Sequence, residues 1–238
     1  MSDRKMLIVV DPQIDFISGS LPVPGAAEAM NQLADYVKAN GDDYALMVVT
    51  NDWHPYDHCS FAPNGGPWPV HCVQNSEGAA TYWPLLEALY QSETETLFLQ
   101  KGDLRHREEY SIVQNTGARE FFENTLDNSL FADADCQYQH VDVCGIAGDV
   151  CVLNTLRDLL PIVGADRLRV LTRFAPSLDG GKALQAFIDE NGIATGEYAP
   201  KLSYRTLQVI ASIFREDFSL AELPVQFMPP GRSMRVMR

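Results

Sequence analysis

The stretch Val141-Asp-Val-Cys-Gly-Ile-Ala-Gly-Asp-Val-Cys-Val-Leu-Asn154 changes its periodicity halfway along. Val141 to Cys144 places valine at alternate positions, and Gly145 to Gly148 is a turn of mostly small residues. From Asp149 the apolar residues Val152, Leu153, Leu156, Leu159 and Leu160 recur at helical spacing. The pattern reads as strand, tight turn and helix, with Cys151 in the first turn of the helix. Unpaired backbone N–H groups and the positive end of the helix dipole favour a thiolate there. The same N–H groups could stabilise an oxyanion forming beside the sulfur. The competing reading is a buried cysteine that acts only as a small hydrophobe.

Working outward, the same alternation recurs along most of the chain. Met6–Val10 is a continuous apolar run of the kind a strand buried on both faces requires, and it ends at Asp11-Pro12. Gly25 to Asn40 sets Ala26, Met30, Leu33, Ala34 and Val37 on one helical face. Further strands are expected at Tyr44–Thr50, Thr94–Gln100, Val141–Cys144, Arg167–Leu171 and from Gly192 to Thr195. Helices are expected over Tyr82–Tyr90, Ala118–Thr125, Asp149–Leu160 and Leu178–Asn191. Between them lie a Pro- and Gly-rich loop from Asn51 to about Ala79, and a polar, irregular segment over Asp103–Asn115. Tandem alternation of this kind predicts an α/β fold: three α-β-α layers around a six-stranded parallel sheet. The expected domain spans residues 1–198. Residues 199–238 change character, with a helix over Tyr204–Phe214 and a locally basic, Pro-containing stretch Leu223–Arg238 that reads as an extended arm or a surface-packed tail.

Composition narrows the function. Lys plus Arg number 18 against 32 Asp plus Glu, a net charge of −14. So acidic a surface repels phosphate backbones and anionic membranes, which argues against nucleic acid as a partner. No apolar run approaches the ~20 residues of a membrane span. The N-terminus leads into only a short apolar run before Asp11, a strand and not a signal peptide, so the expected compartment is the cytoplasm. The five cysteines Cys59, Cys72, Cys136, Cys144 and Cys151 are odd in number and lack C-x-x-C pairing, which fits reduced thiols better than a disulfide framework.

Asp11, Asp52, Lys101 and Cys151 each follow closely on an expected parallel strand. In an open α/β sheet that placement gathers them at the crevice outside the carboxyl ends. An acid, an ammonium and a thiol make one unit: the carboxylate takes the thiol proton, the ammonium holds the charge, and sulfur attacks an acyl carbon. Solvated loop residues are the competing reading. A second cluster is Asp52-x-His54 with His58 and His71 nearby. Imidazoles and a carboxylate with open positions suit zinc, iron or manganese. His106 and His140 have no such company. Phe16 and Trp68 sit on loops, where aromatics can wall a pocket for a flat ligand or merely cover the core. No G-x-G-x-x-G or phosphate loop is present, so nucleotide binding has no support.

Five pieces together resemble the nicotinamidase branch of the isochorismatase-like cysteine hydrolase family. They are Val9-Val-Asp-Pro-Gln-Ile-Asp-Phe16, Asp52-Trp-His-Pro-Tyr-Asp-His-Cys-Ser-Phe61, Trp68-Pro-Val-His-Cys-Val-Gln74, Lys101-Gly102 and Gly145-Ile-Ala-Gly-Asp-Val-Cys-Val152. The resemblance covers about residues 5–196. It implies a catalytic triad of Asp11, Lys101 and Cys151, and a divalent metal, first of all zinc, on Asp52, His54 and His71. It also implies a cis peptide leading into Ala147, and an oxyanion hole from the amides of Ala147 and Cys151. The implied reaction converts nicotinamide, held between Phe16 and Trp68, to nicotinate and ammonia through a thioester. Ile14 and Gly148 depart from the family, which usually has Asn and Thr there. The resemblance leaves open whether His58 is a ligand, and whether the chain forms a homo-oligomer. Rival readings are a ureido or carbamoyl amidohydrolase of the same fold, or a non-catalytic metal-binding module.

Overall fold

The structure, a computed structural model, describes residues 4–127 and 137–196. The expected boundary at 198, the helix Tyr204–Phe214 and the arm Leu223–Arg238 lie outside the described residues. Six strands form one sheet: β1 Lys5–Val10, β2 Leu46–Asp52, β3 Thr96–Lys101, β4 His140–Gly145, β5 Leu168–Val170 and β6 Ala194–Thr195. Their order is β3-β2-β1-β4-β5-β6, and every pairing is parallel. The doubly wound sheet expected from the alternation is therefore present.

Met6 to Val10 are completely buried, as a central parallel strand demands. Alternate side chains serve opposite layers. Met6, Ile8 and Val10 pack with Leu46, Val48, Phe122, Leu156 and Ile188 beneath α4 (Thr116–Leu126), α5 (Leu153–Val163) and α6 (Lys182–Asn191). Leu7, Val9, Met47 and Val49 pack with Met30, Leu33 and Leu85 beneath α2 (Ala26–Asn40) and α3 (Trp83–Gln91). A single helical turn, α1 (Ile14–Ile17), follows β1. Among the described residues no helix is long and apolar enough to cross a membrane.

Three boundaries differ from the sequence reading in ways that matter. The expected helix Asp149–Leu160 begins as a π-helical turn, Gly148–Val152, and becomes α-helical only at Leu153. Cys151 thus sits in a wide turn ahead of the α-helix. Leu178–Gly181 is not helical, because Gly180 and Gly181 take left-handed φ values of 75° and 86° and α6 starts at Lys182. Phe16 lies on α1 instead of a loop.

The parallel register sets the ends of the strands level. Val10 pairs with Thr50 on β2 and with Gly145 on β4, while Asp52 pairs with Lys101 on β3. β1 is where the strand order reverses, so the crevice opens at its carboxyl end. Gly145 has φ 118°, and a Cβ there would lie 2.0 Å from the Val10 carbonyl oxygen. Only glycine lets β4 turn so close to β1.

Candidate active site

Asp11 leaves β1 with a left-handed φ of 47°, and its amide is held by the Thr50 carbonyl at 3.0 Å. Thr50 Oγ1 donates to Asp11 Oδ1 at 2.8 Å. Lys101, also completely buried, places Nζ 2.8 Å from Asp11 Oδ2 and 2.5 Å from Asp52 Oδ1. The same nitrogen lies 3.7 Å from Cys151 Sγ. The structure therefore brings Asp11, Asp52, Lys101 and Cys151 together from the ends of four strands. The ion pair to Asp11 Oδ2 is short but not aligned as a hydrogen bond, which leaves that buried oxygen open as an acceptor.

Electrostatics follow from the packing. Burial pushes the Asp11 carboxyl up to about 6; Lys101 opposes the shift and Asp52 adds to it. Burial works the same way on Asp52, but Lys101 and His54 outweigh it and hold Asp52 well below the usual carboxylate range. Burial would discharge Lys101, yet Asp11, Asp52 and Cys151 overcome it and keep the ammonium charged. The thiol behaves differently from the sequence expectation. Burial, with Asp11 and Asp52 added, pushes Cys151 well up despite Lys101. The local helix-end argument favoured a thiolate; two buried carboxylates and desolvation win instead.

Beside this group, ligand atoms of Asp52, His54 and His71 all lie within 4.8 Å of one another. His54 Nδ1 bonds the Gly102 carbonyl at 2.9 Å and His71 Nδ1 bonds the Pro69 carbonyl at 2.7 Å. A carbonyl only accepts, so each Nδ1 carries the proton and each Nε2 keeps its lone pair. His54 Nε2 is buried with no hydrogen-bond partner. An orphaned imidazole nitrogen facing a carboxylate and a second imidazole fits a divalent metal. His58 does not share that freedom. Its Nε2 donates to the Arg107 carbonyl at 2.9 Å, and its Nδ1 meets Ser60 Oγ at 2.7 Å. It stacks on His54 with ring centroids 4.1 Å apart. Ligand atoms of Asp11, Asp52 and Cys151 are also within 4.8 Å of each other, but the Lys101 ammonium already serves all three.

The pocket above Cys151 is lined by Phe16, Trp68, Tyr110, His71, Ala147 and Val150 among others, with Asp52 and Glu108. Phe16 and Trp68, paired on sequence grounds, do meet in one cavity. The Ile146–Ala147 peptide is cis, and both Ala147 and Cys151 line the pocket. Sequence reading missed four contributors. Tyr110 accepts a hydrogen bond from Trp68 Nε1 at 3.1 Å. Gln13 clasps the Asp52 backbone through two bonds of 2.8 Å, and Thr50 orients Asp11. Glu108 comes from the segment read as polar and irregular. Gln13 stands inside the quoted Asp-Pro-Gln piece, whereas nothing in local pattern marks Glu108 or Tyr110.

Comparison with known proteins covers the same ground. The Isochorismatase domain matches residues 5–161. A nicotinamidase of Saccharomyces cerevisiae is 32% identical over 180 residues, 63% of this chain and 79% of the relative. A nicotinamidase/pyrazinamidase of Mycobacterium tuberculosis is 37% identical over 161 residues, 65% of this chain and 77% of the relative. The crystal structure of the pyrazinamidase of Pyrococcus horikoshii in complex with zinc superposes with a TM-score of 0.66 at 29% identity, covering 82% of this chain and 99% of that one. The matched stretch holds Asp11, Asp52, Lys101 and Cys151 and the strand ends that gather them, and on that ground the chain belongs to the isochorismatase domain family.

Proposed function

We propose that this chain hydrolyses nicotinamide to nicotinate and ammonia, with Cys151 as nucleophile. The observation that carries the reading is the convergence of Asp11 and Cys151 on the buried Lys101 ammonium, beneath an aromatic pocket lined by Asp52 and His71, with His54 beside them. Relatives described as nicotinamidases support the choice of substrate. A metal-binding module without catalysis would leave a fully buried Lys101–Asp11 pair with no purpose.

Cys151 rests as the thiol, so its proton must leave as the sulfur attacks. Asp11, pushed up to about 6 and holding Oδ2 open, is matched to that transfer near neutral pH. The S–H proton passes to Asp11, sulfur bonds to the carboxamide carbon, and the carbonyl oxygen becomes an oxyanion. The amides of Ala147 and Cys151 are assigned as its donors, an arrangement in which one donor typically contributes about 10²–10³ in rate. Collapse breaks the C–N bond, and Asp11 returns the proton to nitrogen, releasing ammonia. Water then attacks the thioester, Asp11 takes one of its protons and passes it to the sulfur as the C–S bond breaks, and the acid product gives the remaining proton to solvent and leaves as nicotinate. Lys101 keeps its charge throughout and steadies the thiolate whenever it forms. Asp52, His54 and His71 would hold a divalent ion, zinc first, which supplies a Lewis-acidic contact for a lone pair such as the ring nitrogen. Phe16 and Trp68 hold the flat ring.

The test is ammonia release from nicotinamide by the full chain, with metal content measured on the same sample. Cys151→Ala should lose the activity while keeping its circular dichroism and its metal. Near wild-type turnover in that variant would remove Cys151 as nucleophile.

A further inference from the structure

Glu108 has no part in the steps above, yet it lines the pocket beside Trp68, His71 and Tyr110. A ligand oxygen of Glu108 lies within 4.8 Å of ring nitrogens of both His54 and His58. That grouping is not a ligand set, because both nitrogens of His58 are engaged, one with Ser60 and one with the Arg107 carbonyl. The Glu108 carboxylate accepts from the Glu109 amide at 2.9 Å through Oε1. No lysine or arginine pairs with it among the described residues. The adjacent Arg107 turns away, to Glu109 and to the Gln114 carbonyl.

The charges around the pocket explain why an unneutralised carboxylate belongs there. Asp11 and Asp52 are two negative charges, Lys101 is one positive charge, and a divalent ion on Asp52, His54 and His71 would add two more. His54 and His71 each give the Nδ1 proton to a backbone carbonyl, and an imidazole that holds an ion through Nε2 carries no charge of its own. The sum without Glu108 is one net positive charge in a small, largely apolar cavity. Such a cavity binds anions, and the reaction turns a neutral amide into an anion. We infer that Glu108 is a specificity-determining residue, whose carboxylate cancels that excess charge so that the pocket takes an uncharged heteroaromatic carboxamide and lets the carboxylate product go. The inference rests on the amidohydrolase reading above. A unit charge several ångströms away at an effective dielectric near 20 shifts an equilibrium by about tenfold or more.

The experiment uses the metal-loaded full chain. Titration calorimetry compares nicotinamide and nicotinate binding to Cys151→Ala and to Cys151→Ala with Glu108→Gln, with metal content determined for each. Glu108→Gln should tighten nicotinate about tenfold, leave nicotinamide within twofold, and keep the metal. Unchanged nicotinate affinity, an equal shift of both ligands, or loss of metal would each overturn the assignment, the last by making Glu108 a ligand. Ammonia release by the chain with Cys151 intact is measured alongside. Absence of release brings down the amidohydrolase reading and this inference with it, whereas release without a charge-selective shift removes only the role of Glu108.

Discussion

Lys101 concentrates more of the site on one atom than any other residue, since its Nζ touches Asp11, Asp52 and Cys151 while shielded from solvent. A surface lysine replaced by methionine changes stability by no more than about 0.5 kcal/mol. Lys101→Met instead leaves two buried carboxylates without their cation, and breaking such a group typically costs about 3–5 kcal/mol. Urea denaturation should show a loss of that order, and amidase activity should vanish although Asp11 and Cys151 remain. A variant as stable as the parent would mean that Asp11 and Asp52 do not depend on the ammonium. Asp11 sets the pH dependence. Its carboxyl stands at about 6, above the ordinary 3.8, so the base form is lost as pH falls through about 6 and kcat/KM should fall with it. Thr50 donates to the ionised carboxylate and so lowers that value. Thr50→Val should therefore move the acid limb to higher pH. A limb that stays in place, or moves down, would show that some other group controls it.

At the level of elements, the strand ends do two jobs: they deliver side chains to the crevice, and they turn away without blocking one another. Gly102 shows both. It follows β3 directly, has φ 67°, and lends its carbonyl to His54 Nδ1. A Cβ at this position would lie 2.5 and 2.7 Å from two atoms of the His54 ring. The ring cannot retreat freely, because His58 stacks on its face and Phe61 meets its edge. Gly102→Ala should displace His54 and weaken metal binding by about tenfold or more, the usual range when an outer-sphere support of a ligand is lost. Metal stoichiometry after dialysis reads this out. Retention equal to wild type would separate His54 from the metal. The π-helical turn Gly148–Val152 is the corresponding device after β4. It is anchored by the Gly148 amide on the Pro176 carbonyl and by Asp149, whose two oxygens accept from Leu178 and Asp179. The turn carrying Cys151 is thereby tied to the loop that contributes Leu178 to the pocket.

Across the whole molecule, the sheet also carries a buried polar network remote from the crevice. Asp142, completely buried on β4, accepts two bonds from Arg169 on β5, at 2.7 and 2.5 Å, and one from Tyr44 at 2.6 Å. Tyr36 extends the chain to Tyr44 at 2.6 Å. Burial, followed by the Asp142 charge, pushes the Tyr44 hydroxyl far above its ordinary value, so it remains a donor. Every oxygen of Asp142 is used, which is the condition for tolerating a charge inside a sheet. Arg169→Met should cost about 3–5 kcal/mol by stranding that carboxylate. Adding Asp142→Asn should restore part of the loss, and the folded fraction should keep its amidase activity in both. Denaturation curves for the single and double variants decide it. Equal stability of the two would mean that the Arg169 side chain matters by packing alone.

The amino-acid sequence by itself determined the layering, because hydrophobic periodicity is a local property and each strand and helix carries its own. It also determined that Asp11, Asp52, Lys101 and Cys151 would share one edge, since a parallel sheet sends every strand end to the same side. The histidines on offer were equally visible, and so were Phe16 and Trp68 as pocket aromatics. Tertiary structure alone decided which of these groups are free to act. The opposition of Asp52 to Lys101 depends on register, a relation between strands almost fifty residues apart. His58 looked as available as His54 until Ser60 and Arg107 took both of its nitrogens. Glu108 and Tyr110, in a segment with no periodicity, reach the pocket only through the path of the loop after β3. The protonation of Cys151 was misjudged for the same reason. A helix end is read from neighbours in sequence, but desolvation and the field of two distant carboxylates exist only after the chain has folded around them.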